Sequence, residues 1–386
     1  GDLSDEEGEV VEVAMVEVVH MYHGDDDDDD SDSDDSDTDS DDSDSDSEDD
    51  ERKPPRDVSD SGLVPVMSGE QAERCVATAS KKDIVQSPSL RLRVGFAETQ
   101  GVRRSMEDRM TVLGRYMACD IADYFGLFDG HGGDETAHYV GEELQATIYK
   151  HIKKGVSAGS DDPKLNFALA LEEPELVRQA LTDAFHDLQT VLEAKEPPLQ
   201  GGAVAAVALV LGDSLFVANC GDVRVIIVYA DGSGERLTLD HKPHLPEETA
   251  RVEKEGGFVT THTSRAGVIT SRVCGAIAVS RAFGDIGLQP FLIATPHVAP
   301  VRKILTADGG DKQPVALILA CDGLWDVMDD NDAAKVVVDT ANPEKAAVRL
   351  RNEAYAGGST DNISVMVVQL PVMVTKHPNS LEESMK

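Results

Sequence analysis

Apolar residues in this chain fall into short contiguous runs and longer helically spaced stretches along residues 90–370. Runs rich in Val, Ile, Leu and Ala, with the length and β-branched content of strands, fall at 90–97, 108–117, 123–129, 203–211, 214–219, 223–230, 315–321 and 363–370. Helical spacing falls at 133–153, 173–195, 246–256, 330–340 and 343–356. Asp134 and Glu135 open the first helix, where negative charge complements the dipole. Residues 154–172 read as an irregular insertion. Strand runs outnumber crossover helices, and tight turns join neighbours at Gly212-Asp213 and Ala230-Asp-Gly-Ser-Gly234. The pattern predicts an α+β fold of largely antiparallel sheets flanked by helices, not a doubly wound parallel sheet.

Upstream of residue 90 the pattern breaks down. Val10–Tyr22 is apolar and β-branched and reads as a strand within residues 1–24. A lone exposed strand invites aggregation, so it is expected to pair with an edge of the body's sheet. Residues 25–60 form an Asp/Ser-rich tract that cannot bury apolar surface and is expected to be disordered. Residues 61–89 read as a linker with one short helix near 68–82, residues 90–372 as the globular body, and 373–386 as a tail.

Charge follows this division. Residues 1–60 hold 28 Asp and Glu against 3 Lys and Arg, a net of −25 out of −38 for the whole chain. A polyanion repels nucleic acid and anionic membranes, so neither is expected as a direct partner. A basic protein is the partner that such an arm would recruit. Ser31, Ser33, Ser36, Ser40, Ser43, Ser45 and Ser47 sit among acids and suit an acidophilic kinase; a solubilising spacer fits the tract equally well. Cys75, Cys119, Cys220, Cys274 and Cys321 show no CxxC spacing. An odd, scattered set suggests reduced thiols acting as small buried hydrophobes, hence a cytoplasmic or nuclear setting. No run reaches the roughly 18 apolar residues of a membrane span. The first residue is Gly, which reads as a trimmed or processed fragment and leaves a removed targeting segment open.

The chemistry lies at the strand ends. Asp129 closes the run Tyr124-Phe-Gly-Leu-Phe-Asp129, Asp322 follows Val315-Ala-Leu-Ile-Leu-Ala-Cys321, and Asp361 precedes Ile363–Val368. A carboxylate at the mouth of a buried strand is held by the sheet yet reaches solvent. Several brought together make an oxygen-rich site for hard divalent cations. Taken singly, each such aspartate reads as a turn or cap residue.

In order, the chain carries Arg103-Arg-Ser-Met-Glu-Asp108, Phe128-Asp-Gly-His-Gly-Gly133, Ala218-Asn-Cys-Gly-Asp-Val-Arg224 and Asp240-His-Lys-Pro243. These are followed by Glu255-Gly-Gly-Phe-Val259, Ala278-Val-Ser-Arg-Ala-Phe-Gly-Asp285, Cys321-Asp-Gly-Leu-Trp-Asp-Val-Met328 and Ser359-Thr-Asp-Asn-Ile-Ser364. This set resembles the PPM/PP2C family of metal-dependent serine/threonine protein phosphatases over about residues 92–370. The resemblance implies a four-layer α/ββ/α sandwich with two Mn2+ or Mg2+ ions at one end of the paired sheets. It implies that Asp129 bridges the ions, that the Gly130 carbonyl faces one of them, and that Asp322 and Asp361 complete a coordination sphere. Glu107 and Asp108 would act through bound waters or supporting hydrogen bonds. Asp222 and Asp326 would recruit a third, weaker ion; a β-turn role for Asp222 is the competing reading.

Arg103 would bind the substrate phosphate through its planar guanidinium, with Arg104 left as surface charge. His131 would protonate the leaving serine or threonine alkoxide; its alternative is a helix-cap role. Water activated by the two cations would attack phosphorus without a covalent intermediate. Phosphoproteins are the implied substrates and a monomer is expected. Trp325 reads as core. Residues 260–275 fall where the family carries a flap, in which Arg265 and Arg272 could meet a phosphopeptide or stay solvated. A catalytically silent binding module of the same fold is the rival reading.

Three departures from the family pattern stand out. Gln200-Gly-Gly-Ala-Val204 replaces Ser-Gly-Ser-Thr-Ala, so Ala203 stands where a threonine is usual. The missing hydroxyl either loosens an orienting hydrogen bond or is absorbed by repacking. Cys274 replaces an asparagine, and Thr295 replaces an acid.

Overall fold

The computed structural model describes residues 84–86, 92–156, 159–263, 269–304, 312–340 and 342–371. All belong to the second of two units into which the chain divides, Met67–Lys386. The expected N-terminal strand, acidic tract, 68–82 helix and C-terminal tail lie outside the described residues, as do Cys75 and Arg265.

In chain order the strands are β1 (Ile84–Gln86), β2 (Arg93–Thr99), β3 (Arg109–Leu113), β4 (Ala122–His131), β5 (Gly202–Leu211), β6 (Ser214–Cys220), β7 (Arg224–Tyr229) and β8 (Gly234–Arg236). They continue as β9 (Val259–Thr263), β10 (Ile269–Val273), β11 (Phe283–Gly284), β12 (His297–Val298), β13 (Arg302–Lys303), β14 (Pro314–Ala320) and β15 (Ile363–Gln369). The helices are α1 (Glu135–Gly155), α2 (Pro163–Glu172), α3 (Pro174–Glu193), α4 (Pro246–Lys254), α5 (Asp322–Trp325), α6 (Asp330–Thr340) and α7 (Pro343–Ala356).

One sheet runs β1-β3-β4-β5-β6-β12, with β11 also on β5 and β13 also on β6. The second runs β2-β15-β14-β7-β8, and β9-β10 form a separate hairpin. Among these named strands every ladder is antiparallel except β1 on β3. The edge strand β1 comes from the stretch read as linker. Below it the expected α+β architecture stands.

Side-chain parity sorts the core into layers, because successive strand residues point to opposite faces. On β4, Tyr124 and Phe128 join Val140, Leu144, Leu181 and Phe185 beneath α1 and α3. Phe125 and Leu127 point the other way and meet Leu317, Leu319, Met366 and Val225 of the second sheet. The outer face of that sheet, with Ile226, Ile318 and Val367, packs on Val337 and Leu350 of α6 and α7. Helix, sheet, sheet, helix is therefore the layer order.

Residues 154–172 differ from expectation: they contain α2. Asp162 caps it by accepting from the Lys164 N–H at 3.0 Å, and Pro163 opens it. Leu165, Phe167, Leu169 and Leu171 do not fall on one stripe, and Asn166, Phe167 and Ala170 are the buried positions, so periodicity gave no signal. The run 108–117 ends as a strand at Leu113. The chain then turns through a 3-10 segment at Tyr116–Ala118, where Arg115, Met117 and Ala118 all have positive φ.

Candidate active site

The inter-sheet face does not stay apolar to its end. The parity of Phe125 and Leu127 continues to Asp129, and that of Met110 and Val112 runs back to Asp108. Arg109 pairs with Phe128, so Asp108 and Asp129 sit at the same end of the β3–β4 ladder. Across the sandwich, the same parity places Cys321 after β14 and Ser364 at the start of β15, and the Ser364 N–H donates to Cys321 Sγ at 3.2 Å. Ligand atoms of Asp108, Asp129 and Cys321 lie within 4.8 Å of one another.

More carboxylates converge here. The Asp129 carboxyl is held well above its ordinary pKa by burial first, then by the charges of Asp108, Asp322, Asp222 and Asp361. Asp322 opens α5 and is raised likewise by burial, with Asp222, Asp326 and Asp361 adding to it. Asp326 is raised more modestly, burial again leading. Asp108 is 1% exposed, and burial lifts it to about 6, although Ser364 and Cys321 lie close enough to moderate the rise. Neither of its oxygens makes a well-formed hydrogen bond. An unpaired buried carboxylate is costly. A hard divalent cation relieves that cost, so the donor set fits the metal that the motifs imply.

Glycines let the backbone close around the site. A Cβ on Gly130 would stand 2.5 Å from the Glu107 carbonyl, and one on Gly323 would stand 1.9 Å from that of Asn362. Glu107 is tied locally: its carboxylate accepts from Ser105 Oγ at 2.7 Å, and its N–H donates to Asn362 Oδ1 at 2.9 Å. Arg103 lies on the exposed rim. Its Nη2 donates to Asp361 Oδ2 at 2.5 Å and its Nε to the Thr360 carbonyl at 3.2 Å. Arg104 is exposed. His131, the last residue of β4, stands with Nε2 2.7 Å from Asp285 Oδ2.

Besides Asp285, two residues in the quoted motifs take positions to which the sequence reading gave no role. Lys242 Nζ donates to Asp222 Oδ2. Burial alone would lower the Lys242 ammonium, but the charge and hydrogen bond of Asp222 outweigh it and hold it above the usual range. The signal was its place two residues after Asp240. Asn362 spends its amide on the Gln100 and Ser105 carbonyls, both at 2.9 Å, and so shapes the loop that carries Arg103. The neighbouring His241 is buried beneath the Gly221 turn, its Nδ1 3.1 Å from the Gly221 N–H, and burial lowers it to about 4.

Trp325 is core, as expected: it is 8% exposed, its Nε1 donates to the Ala320 carbonyl, and the Arg224 guanidinium stacks on its ring. Ala203 is fully buried opposite Gly130 and Phe283 in an apolar cluster. Thr295 pairs its hydroxyl with His186 Nε2 at 2.9 Å. Cys274 has φ +50, a left-handed conformation that asparagine tolerates better. The flap region is the β9–β10 hairpin, where Arg272 donates to the Ala276 carbonyl.

A four-layer sandwich with a carboxylate-lined mouth at one end of its paired sheets agrees with the metal-dependent phosphatase class that the motifs resemble. Residues 92–363 match the family Protein phosphatase 2C, and the chain belongs to that family of metal-dependent serine/threonine protein phosphatases. The chain is 36% identical over 280 residues to "Probable protein phosphatase 2C 11" of Arabidopsis thaliana, covering 72% of itself and 66% of that relative. It is 37% identical over 276 residues to "Probable protein phosphatase 2C 45" of Oryza sativa subsp. japonica, covering 71% and 86%. Among solved structures it resembles the serine-threonine phosphatase 2C from Toxoplasma gondii, with 25% identity and a TM-score of 0.59, covering 74% of this chain and 97% of that one.

Proposed function

We propose that this chain hydrolyses phosphoserine and phosphothreonine in proteins at the acidic mouth of the sandwich. The observation that carries the reading is the convergence of Asp108, Asp129, Asp222, Asp322 and Asp361, with both Asp108 oxygens buried and without well-formed hydrogen bonds. Asp129, Asp322, Asp361 and the Gly130 carbonyl would hold two Mn2+ or Mg2+ ions, with Asp108 and Glu107 supporting them. Asp222 and Asp326 would hold a third, in competition with the ammonium of Lys242. Bound divalent cations lower the pKa of coordinated water and neutralise charge on a phosphoryl group.

The chain's own groups do the rest. Arg103 exchanges Asp361 for two oxygens of the substrate phosphate, and its 55% exposed side chain has the freedom to do so. His131 gives a proton to the departing alkoxide oxygen as the P–O bond breaks. No cysteine acts as a nucleophile in this scheme. Burial pushes the Cys321 thiol well above its ordinary range, and the thiol is engaged with the Ser364 N–H and the Asn362 carbonyl.

The test is turnover of a phosphothreonine peptide with and without Mn2+, beside the Asp322→Ala protein. Metal-stimulated, EDTA-sensitive hydrolysis that the variant lacks is expected. Wild-type turnover no higher than the variant's would leave the fold as a binding module.

A further inference from the structure

The departure at Gln200-Gly-Gly-Ala203 has a structural counterpart beside His131. Strand β5 lies between β4 and β11, with Gly202 opposite His131 on one side and Gly284 on the other. The side chains of His131 and Asp285 meet directly over Gly202, Nε2 to Oδ2 at 2.7 Å. A Cβ on Gly202 would lie 2.2 Å from Asp285 Oδ2 and 2.5 Å from His131 Nε2. No side chain fits there while the pair stands. The family pattern carries a serine at this position, and this chain carries none.

Asp285 is held in place by its surroundings. Its φ is +47, a left-handed conformation that aspartate tolerates better than most non-glycine residues. Its N–H donates to the Gly201 carbonyl at 3.1 Å. The preceding Gly284 is gripped at both backbone groups by the buried Gln189, whose Oε1 accepts from the Gly284 N–H at 2.9 Å and whose Nε2 donates to its carbonyl at 3.3 Å. Phe283 stacks on Phe185, with ring centroids 5.1 Å apart. Buried contacts therefore fix this carboxylate against one nitrogen of one imidazole.

We propose that Asp285 is a positioning residue for His131, and that Gly202 is the specific feature of this chain that lets the two meet. Asp285 accepts a hydrogen bond from the Nε2–H and fixes the ring, so Nδ1 is the nitrogen left to serve the leaving oxygen. The inference rests on His131 being the proton donor proposed above, and it adds the residues that aim it.

Two variants test it by different routes. Asp285→Gly removes the carboxylate and suits the left-handed backbone, so folding is not at risk. Gly202→Ser leaves Asp285 in the chain and fills its space. The readout is the ratio of kcat on a phosphothreonine peptide, whose alkoxide needs a proton, to kcat on p-nitrophenyl phosphate, whose leaving group does not. Both variants are expected to lower this ratio about 10-fold, and His131→Ala to lower it further, within the roughly 10²–10⁴-fold range of general acid catalysis. Asp285→Gly on top of His131→Ala should lower it no more than His131→Ala alone. A hydrogen-bonded His131 ring N–H resonance should be present in wild type and lost in both variants. If His131→Ala lowers the ratio and neither variant does, the positioning role is overturned. If His131→Ala leaves the ratio unmoved while the ring resonance still vanishes in both variants, the proton-donor reading fails and the pair itself stands. A resonance that persists in both variants overturns the pair.

Discussion

The interface between the two sheets follows opposite rules at its middle and at its end. In the middle, Leu127, Leu317, Leu319 and Met366 are fully buried and apolar, each worth roughly 1.5–3 kcal/mol of burial. At the end, the same side-chain parity delivers Asp108 and Asp129 beside Asp322 and Asp361; these carboxylates repel one another, and burial raises Asp108, Asp129 and Asp322. The middle is stable by itself, whereas the end is stable only with a cation or with protons. The apolar layer supplies the rigidity that holds like charges together, and so builds a site that no isolated strand could hold.

The sharpest way to break this contrast is at Asp129. Asp129→Asn should lower Mn2+-stimulated turnover by about 10³-fold or more, since a cation ligand contributes several kcal/mol to the transition state. The same change should raise the melting temperature of the metal-free protein by removing repulsion. A variant that keeps activity within tenfold would place the cations elsewhere.

The matching change in the middle, Leu319→Ala, should cost about 2–5 kcal/mol in urea unfolding, because the layer cannot collapse around the cavity. A loss below about 1 kcal/mol would mean that the two sheets do not pack as described.

The third effect is of pH. Asp108 ionises near 3.8 in an unfolded chain and near 6 in the metal-free fold. The fold therefore holds a proton there that the unfolded chain has lost, and this group's contribution to stability falls as pH rises from about 4 to about 6. A cation must displace that proton, so the Mn2+-induced rise in melting temperature should be larger at pH 7 than at pH 5. Differential scanning fluorimetry at the two values decides it, and equal shifts would remove Asp108 from the cation site.

The smallest effect lies away from both regions. Cys274→Asn should add about 1 kcal/mol to stability by relieving the left-handed backbone. An unchanged urea midpoint would show the strain to be already absorbed.

The long central strands and most helices were legible from contiguous apolar runs and helical spacing, and the boundaries of α6 and α7 agree with the sequence reading to the residue, whereas β8 to β13 were too short to stand out. Helix α2 was not legible, since its apolar residues go round the helix instead of along it; the Asp162-Pro163 start was the available clue. The aspartates at strand mouths were legible because a carboxylate ending an apolar run is conspicuous. Lys242, Asn362 and Asp285 were not, although each sits in a quoted motif. Their partners Asp222, Gln100, Ser105 and His131 lie 20 to 262 residues away in sequence.

The amino-acid order thus determined that mainly antiparallel strands are flanked by helices and named the acidic groups, because apolar runs and residue type are local properties. Only the tertiary structure decided which carboxylate is buried without a well-formed hydrogen bond, which cation answers Asp222, and that an absent side chain at Gly202 lets Asp285 reach His131. Those depend on distances between chain segments that meet only when the sheets close on each other.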